Sequence, residues 1–253
     1  MTAQLDHKEI RTSISPSSSS TLYSLNVTND SSLFYPSRTL TVDARGINAF
    51  RLPLPPSQTE IAITLPDGNI GYVSSRNRRW SGNSVLSQPQ IGDLIRTEYF
   101  FGPNRDPILY LLQTCSVTPE ELKVTGKWTS RSARFTMPTG TTYEWAYAKQ
   151  KRSDGQKLKL IVLHAISKED SNEKEFQTRR VAQLVRSSDT RTPGTSSCSA
   201  GNGGELQIDE GALLTLQLDE SIVVATCLVM LKREIDRRRV MQAAAIGGAG
   251  GGA

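Results

Sequence analysis

Histidine and cysteine are scarce: two His and three Cys are spread over 253 residues. His7 lies in a polar N-terminal stretch and His164 in the apolar run 160–166. Two such residues cannot supply a His-rich metal site. Cys115, Cys198 and Cys227 are far apart, and no Cys-x-x-Cys occurs. That odd, unpatterned set argues against a structural zinc site and a disulfide scaffold, and fits a reducing compartment. Catalytic signatures are missing as well. No Gly-x-Ser-x-Gly, His-Glu-x-x-His, Gly-x-x-x-x-Gly-Lys or Gly-x-Gly-x-x-Gly is present. The acid pairs Asp209/Glu210 and Asp219/Glu220 are adjacent in sequence. On a strand such neighbours point to opposite faces, so they are not expected to work as an acid–base pair. Long apolar runs are absent too. The longest, Ile222 to Leu231, has ten residues including Thr226, about half of what a helix needs to cross a bilayer. Met1 to Ser20 is polar and lacks the apolar core of a secretory signal. The expectation is an intracellular protein, cytoplasmic or peripheral to a membrane, with no enzymatic activity, metal or cofactor.

What is present is a long series of short apolar runs broken by turns. Residues 1–20 end in a Ser-rich stretch and read as a disordered lead. Leu22 to Val27 is the first run, and Pro53, Pro55 and Pro56 mark a connector. Ile61, Ile63 and Leu65 share one face of a strand, Pro66 to Asn69 is a turn signal, and Ile70 to Val73 returns. That is a β-hairpin. The rhythm continues through 95–101, 108–112, 122–128, 133–137, 143–147, 158–166 and 181–185. Residues 187–204 are Ser-, Thr- and Gly-rich and read as a flexible loop. Leu206 to Ile208 and Leu213 to Leu218 look like the last strands.

The final element differs from the rest. Asp219 is a plausible helix N-cap, with Glu220 in the first turn, where the helix dipole favours an acid. Ile222 to Leu231 has no polar stripe, so a helix there must be buried on nearly all sides. Lys232, Arg233, Arg237, Arg238 and Arg239 either suit a helix C-terminus emerging into water, the favoured reading, or bind lipid headgroups or nucleic acid, and residues 241–253 read as a Gly/Ala tail.

Many antiparallel strands followed by one very apolar helix is a distinctive order. Two segments carry a family resemblance. One is Arg134 to Met137 followed by Thr141 to Trp145. The other runs from Leu218 through the apolar stretch to Arg237-Arg238-Arg239. Over about residues 21–240 the chain resembles the tubby-like barrel proteins: the tubby C-terminal domain, phospholipid scramblases, LURP-one-related proteins and fungal proteins with this barrel. The resemblance implies a mainly β fold, a closed antiparallel tubby-like β-barrel of about twelve strands around a hydrophobic C-terminal helix. It also implies a connection to membrane lipid. The basic residues through which tubby proteins hold phosphoinositide have no residue-by-residue match here. Neither do the Cys-rich and calcium-binding segments of scramblases.

The net charge of +5 and pI near 9.2 permit an anionic partner without a histone-like composition. Arg76, Arg78, Arg79 and Trp80 form the densest basic–aromatic cluster. The cluster either holds phosphates through Arg forks, with Trp80 at an interface, or is a solvated loop whose Trp80 packs on the barrel. Lys149, Lys151 and Arg152, with Lys157 and Lys159, flank Asp154-Gly155, a hairpin-tip signal. Such a tip either rests on an anionic leaflet, at about 1 kcal/mol per basic group, or guards a strand edge against pairing. The favoured expectation is a non-enzymatic binding or adaptor protein engaging anionic phospholipid, such as a phosphoinositide, through Arg76, Arg78, Arg79, Trp80, Lys149, Lys151 and Arg152. The alternatives are a protein-interaction scaffold, docking through the barrel surface or a phosphorylated 187–204 loop, and, less favoured, a nucleic-acid or transcription-linked factor.

Overall fold

The alternating and the fully apolar runs become strands of a single sheet. A computed structural model of the chain describes residues 34–48, 58–79, 81–100, 102, 105–112, 120–127, 130–151, 157–167 and 177–249. The first eight strands are β1 (Arg38–Ile47), β2 (Glu60–Thr64), β3 (Ile70–Ser75), β4 (Ser84–Gln88), β5 (Gly92–Glu98), β6 (Ile108–Leu111), β7 (Glu120–Lys123) and β8 (Ala133–Thr136). Then come β9 (Thr142–Lys151), β10 (Lys157–Ser167), β11 (Gln177–Val185) and β12 (Ala200–Ile208), followed by α1 (Glu210–Leu216) and α2 (Glu220–Ala249). All neighbours are antiparallel, in the order β7-β6-β5-β4-β3-β2-β1-β12-β11-β10-β9-β8. The two end strands meet through one bridge. Thr125 N donates to Arg134 O at 2.7 Å and Arg134 N to Thr125 O at 2.8 Å. The result is a nearly closed twelve-stranded barrel.

The width of that barrel explains the helix. About eight strands leave an interior that side chains alone can fill, so twelve leave a lumen that needs a plug. An α-helix with its side chains is about 10–12 Å across, and α2 fills the space. From Ile222 to Leu231 every residue is buried except the half-buried Leu228. This is the burial that the stripe-free sequence requires. Leu40 and Val42 of β1, Tyr143 and Trp145 of β9, and Ile161 and Leu163 of β10 belong to the same core as α2. Asp219 caps α2: Ser221 N donates to its Oδ1 at 2.7 Å.

The helix is also fixed by a buried polar contact. Trp145 Nε1 donates to Thr226 Oγ1 at 2.9 Å, and that hydroxyl donates to Ile222 O at 2.7 Å. Thr226→Val keeps the shape and removes the acceptor. It is expected to cost about 1–3 kcal/mol, the penalty for an unsatisfied buried donor. Thr226→Ser is expected to recover most of that in a thermal melt.

Three expectations are corrected. The 187–204 stretch is not one long loop. Its second part is β12, and Thr192, fully enclosed, donates from Oγ1 to Val42 O at 3.1 Å. Composition misleads here because the glycines serve packing. A Cβ at Gly201, whose φ is +74°, would lie 2.4 Å from Ile235 Cγ1, and one at Gly203 would lie 1.9 Å from Val42 O. The second correction concerns 241–249: they continue α2 rather than forming a tail, because Gln242-Ala-Ala-Ala-Ile246 is helix-favouring. Third, Leu213 to Leu218 is not a strand. Asp209 caps α1 there, accepting from Ala212 N, so the two acid pairs sit at helix starts rather than on strands. The lead 1–20, the run 22–27, the connector 53–56, Trp80, Arg152, the tip 154–155 and residues 250–253 lie outside the described residues.

Candidate anion-binding end of the barrel

Two strands define which end carries charge. β3 starts near the beginning of α2, where Tyr72 Oη donates to Glu220 Oε1 at 2.9 Å. Arg76 directly follows the last residue of β3 and feels the charges of Asp236 and Arg239, far along α2. β9 runs the same way, from Tyr143 beside Leu216 O, past Trp145 and Thr226, to Tyr147, whose hydroxyl donates to Glu234. The Arg76–Arg79 cluster and Lys149 therefore share the end where α2 emerges. β3 and β9 are six strands apart in either direction round the ring, so the two basic groups stand on opposite walls. Arg78, Arg79 and Lys149 are exposed. Lys151 is on β9 as well; its side chain, with Trp80 and Arg152, is outside the described residues.

Arg76 departs from the expectation of a loop cation. It is half-buried, and its Nη2 donates to Gln58 O. Burial lowers its pKa, repulsion from Arg239 adds to that, and Asp236 partly offsets it.

The α2 segment Lys232–Arg239 departs further. Expected to be a solvated helix end, it lies between the two walls, because α2 runs on to Ala249. Glu234 accepts from Arg186 Nη1 at 2.7 Å and Nη2 at 2.9 Å, from Gly201 N at 2.8 Å, and from Tyr147 Oη. Burial would raise the Glu234 pKa, but the hydrogen bonds and charge of Arg186 outweigh it and hold the carboxyl below its ordinary value. Arg233 Nη2 donates to Gly126 O at 2.7 Å, and Arg238 Nη2 to Cys198 O at 3.0 Å.

Asp236, at 0% exposure, anchors the most charged group. Lys232 Nζ donates to its two oxygens at 2.6 and 2.7 Å, and Arg239 Nη1 lies 3.6 Å from Oδ1. The Tyr99 hydroxyl faces Asp236, and burial together with that charge raises the Tyr99 pKa, while Lys232 Nζ sits 4.6 Å from the centre of the Tyr99 ring. Arg76 faces the same carboxylate, so three cations share one acid. Burial lowers the pKa of all three. Repulsion lowers it further for Arg76, from Arg239, and for Lys232, from Arg239 and Arg76. Among the described residues, Arg239 Nε and Nη2 are buried without an acceptor. A cavity of about 60 Å³ lies alongside, between α2 and the first five strands, with Arg76, Tyr99 and Lys232 in its wall.

Tyr99 and Arg186 carried no signal in the sequence, and the bases on this face of α2 were expected to solvate a helix end, with lipid-headgroup or nucleic-acid binding as the lesser alternative. A usable signal for the face itself was there: Lys232, Asp236 and Arg239 are spaced i, i+4, i+7 and so lie on one helix face. Of the two described cysteines, Cys198 is exposed near Arg238 and Cys227 is buried. Cys227 is enclosed by the core, and burial pushes its thiol up to about 12. Among the described residues no three His, Cys, Asp or Glu are grouped to hold a metal ion. No single described helix is long and apolar enough to cross a membrane.

The architecture is thus a nearly closed antiparallel barrel with a C-terminal helix packed inside it, and Arg78, Arg79 and Lys149 are exposed at the end where that helix emerges. No family model, curated protein or solved structure matches the chain.

Proposed function

We propose that the protein is a non-enzymatic, peripheral binder of anionic phospholipid and that the end from which α2 emerges is its membrane face. The observation that carries this reading is a pairing of charge with exposed apolar surface at that end. Arg78 and Arg79 stand on one wall and Lys149 on the other. Between them α2 projects Val240, Met241 and Ile246, which are 40%, 70% and 54% exposed. An element with apolar residues flanked by bases suits the boundary between headgroups and acyl chains. Each base near an anionic surface adds about 1 kcal/mol. The likeness of the plugged barrel to tubby-like proteins supports the same reading.

The test is co-sedimentation of the full chain with phosphatidylcholine vesicles, with and without a phosphoinositide. It is run at about 150 mM salt, where the Debye length is about 8 Å. Binding is expected only to the anionic vesicles. Arg78→Glu combined with Arg79→Glu is expected to weaken it at least tenfold, since about 1.4 kcal/mol is a factor of ten. Equal binding to neutral vesicles, or no effect of the charge reversal, contradicts the proposal. A steep salt slope on DNA with no vesicle binding would instead favour the nucleic-acid reading.

A further inference from the structure

We infer that Arg76, Lys232 and Arg239 form an internal oxyanion site that takes a phosphate-class group, separate from the exposed basic rim. The charge balance is the first ground. Three cations surround one carboxylate, Asp236, at 0% exposure. Buried charge is costly unless it is paired, and here two positive charges exceed the acid. A phosphate group carries about −1.5 to −2 at neutral pH, which matches that excess.

The donor geometry is the second ground. Arg239 directs Nη1 at Asp236, 3.6 Å away. The opposite edge, Nε with Nη2, is buried and has no acceptor among the described residues. That edge is the planar fork that grips two oxygens of a phosphate or carboxylate at once. Lys232, held by Asp236 and by the Tyr99 ring, is a fixed point charge beside it. Arg76 brings a second guanidinium, restrained by its bond to Gln58 O.

Size sets the ligand class. A neighbouring cavity of about 60 Å³ has Arg76 and Lys232, though not Arg239, in its wall, and is roomy enough for a group larger than one water. That space admits a small oxyanion beside Lys232 and Arg76. Any larger part of a ligand must extend outward towards the rim. The phosphate group therefore comes either from a free phosphate compound or from a headgroup reaching in, and the test separates the two.

The probe is inorganic phosphate, titrated into the full chain against sodium chloride of matched ionic strength. The readouts are the melting temperature and calorimetric stoichiometry. A saturable rise of about 5–10 °C at about 100 times Kd is expected, with one site per chain. Arg239→Met is expected to abolish the rise while leaving the ligand-free melting temperature unchanged or higher, because it relieves cation repulsion. Arg76→Met serves as the second variant should the first fail to fold. Arg78→Glu with Arg79→Glu is expected to leave the phosphate effect intact, so the site stands or falls apart from the membrane reading. If Arg239→Met also weakens phosphoinositide vesicle binding, the headgroup is the source; if vesicle binding is unchanged, the source is a free phosphate compound. No rise beyond that in sodium chloride, or the same rise in Arg239→Met, overturns the inference.

Discussion

A chain ending before Asp219 is expected to be unable to fold cooperatively, although every strand of the barrel remains in it. The removed helix contributes Ile222, Val223, Val224, Val229, Met230 and Leu231, all at most 3% exposed. Full burial of such side chains is worth about 1.5–3 kcal/mol each, so their loss removes roughly 9–18 kcal/mol. A domain usually has only about 5–15 kcal/mol in total. The loss also leaves Leu40, Val42, Leu163 and Trp145, which pack with α2 in one core, facing a lumen too wide for them to close. Expression of residues 1–218 should yield aggregated material, or a compact species that binds a hydrophobic dye and melts without a cooperative transition. The full chain with Ala225→Arg, at a site 3% exposed, should behave alike. A soluble truncation with a sharp melt would mean that α2 is an accessory, not the plug.

The barrel was legible because its signals are local. Alternation in 61–65 and 143–147, turn residues at 66–69, and the stripe-free run 222–231 each dictate one element, and the structure has them as β2, β9 and α2. Asp219 as N-cap was equally readable, since the cap is set by one side chain and the next turn. The glycine-rich start of β12 was not. A Gly-Asn-Gly-Gly stretch looks like a loop until the partner that needs the space is known, here Ile235 of α2 and the Val42 carbonyl.

The site was half legible for a related reason. Sequence grouped Arg76 with Arg78 and Arg79 because they are neighbours in the chain. The structure divides them: Arg76 turns in towards Asp236 and Arg239, while Arg78 and Arg79 stay exposed. Lys149 joins the same end only through the barrel, since β3 and β9 are opposite each other. The bases of α2 read as a solvated terminus because the Arg-rich segment resembles a helix end. The helix-forming residues beyond it place that segment in the barrel mouth instead.

The largest single-residue effect outside the apolar core is expected at Glu234. Its carboxylate accepts from Arg186 after β11, Gly201 in β12 and Tyr147 in β9, so one side chain of α2 gathers three parts of the wall. Both members of the ion pair are nearly enclosed, with side chains 10% and 11% exposed. Glu234→Ala leaves the Arg186 charge buried without its acid, which typically costs about 3–5 kcal/mol. For a domain of this size that lowers the melting temperature by roughly 6–20 °C. Replacing both residues, Arg186→Met with Glu234→Met, is expected to cost less than Glu234→Ala alone, because no charge is stranded. The pH dependence has a definite sign. The Glu234 pKa is lower in the folded chain than its ordinary 4.5. Its contribution is therefore complete above about pH 4.5 and is lost as the pH falls through the folded value. Urea midpoints from pH 7 down to pH 3 should show the wild type well above Glu234→Gln at neutral pH, with the gap closing on acidification. A gap independent of pH, or a loss in Glu234→Ala no larger than the ±0.5 kcal/mol of an ordinary surface change, would show that the strand ends are held to α2 by packing rather than by this carboxylate.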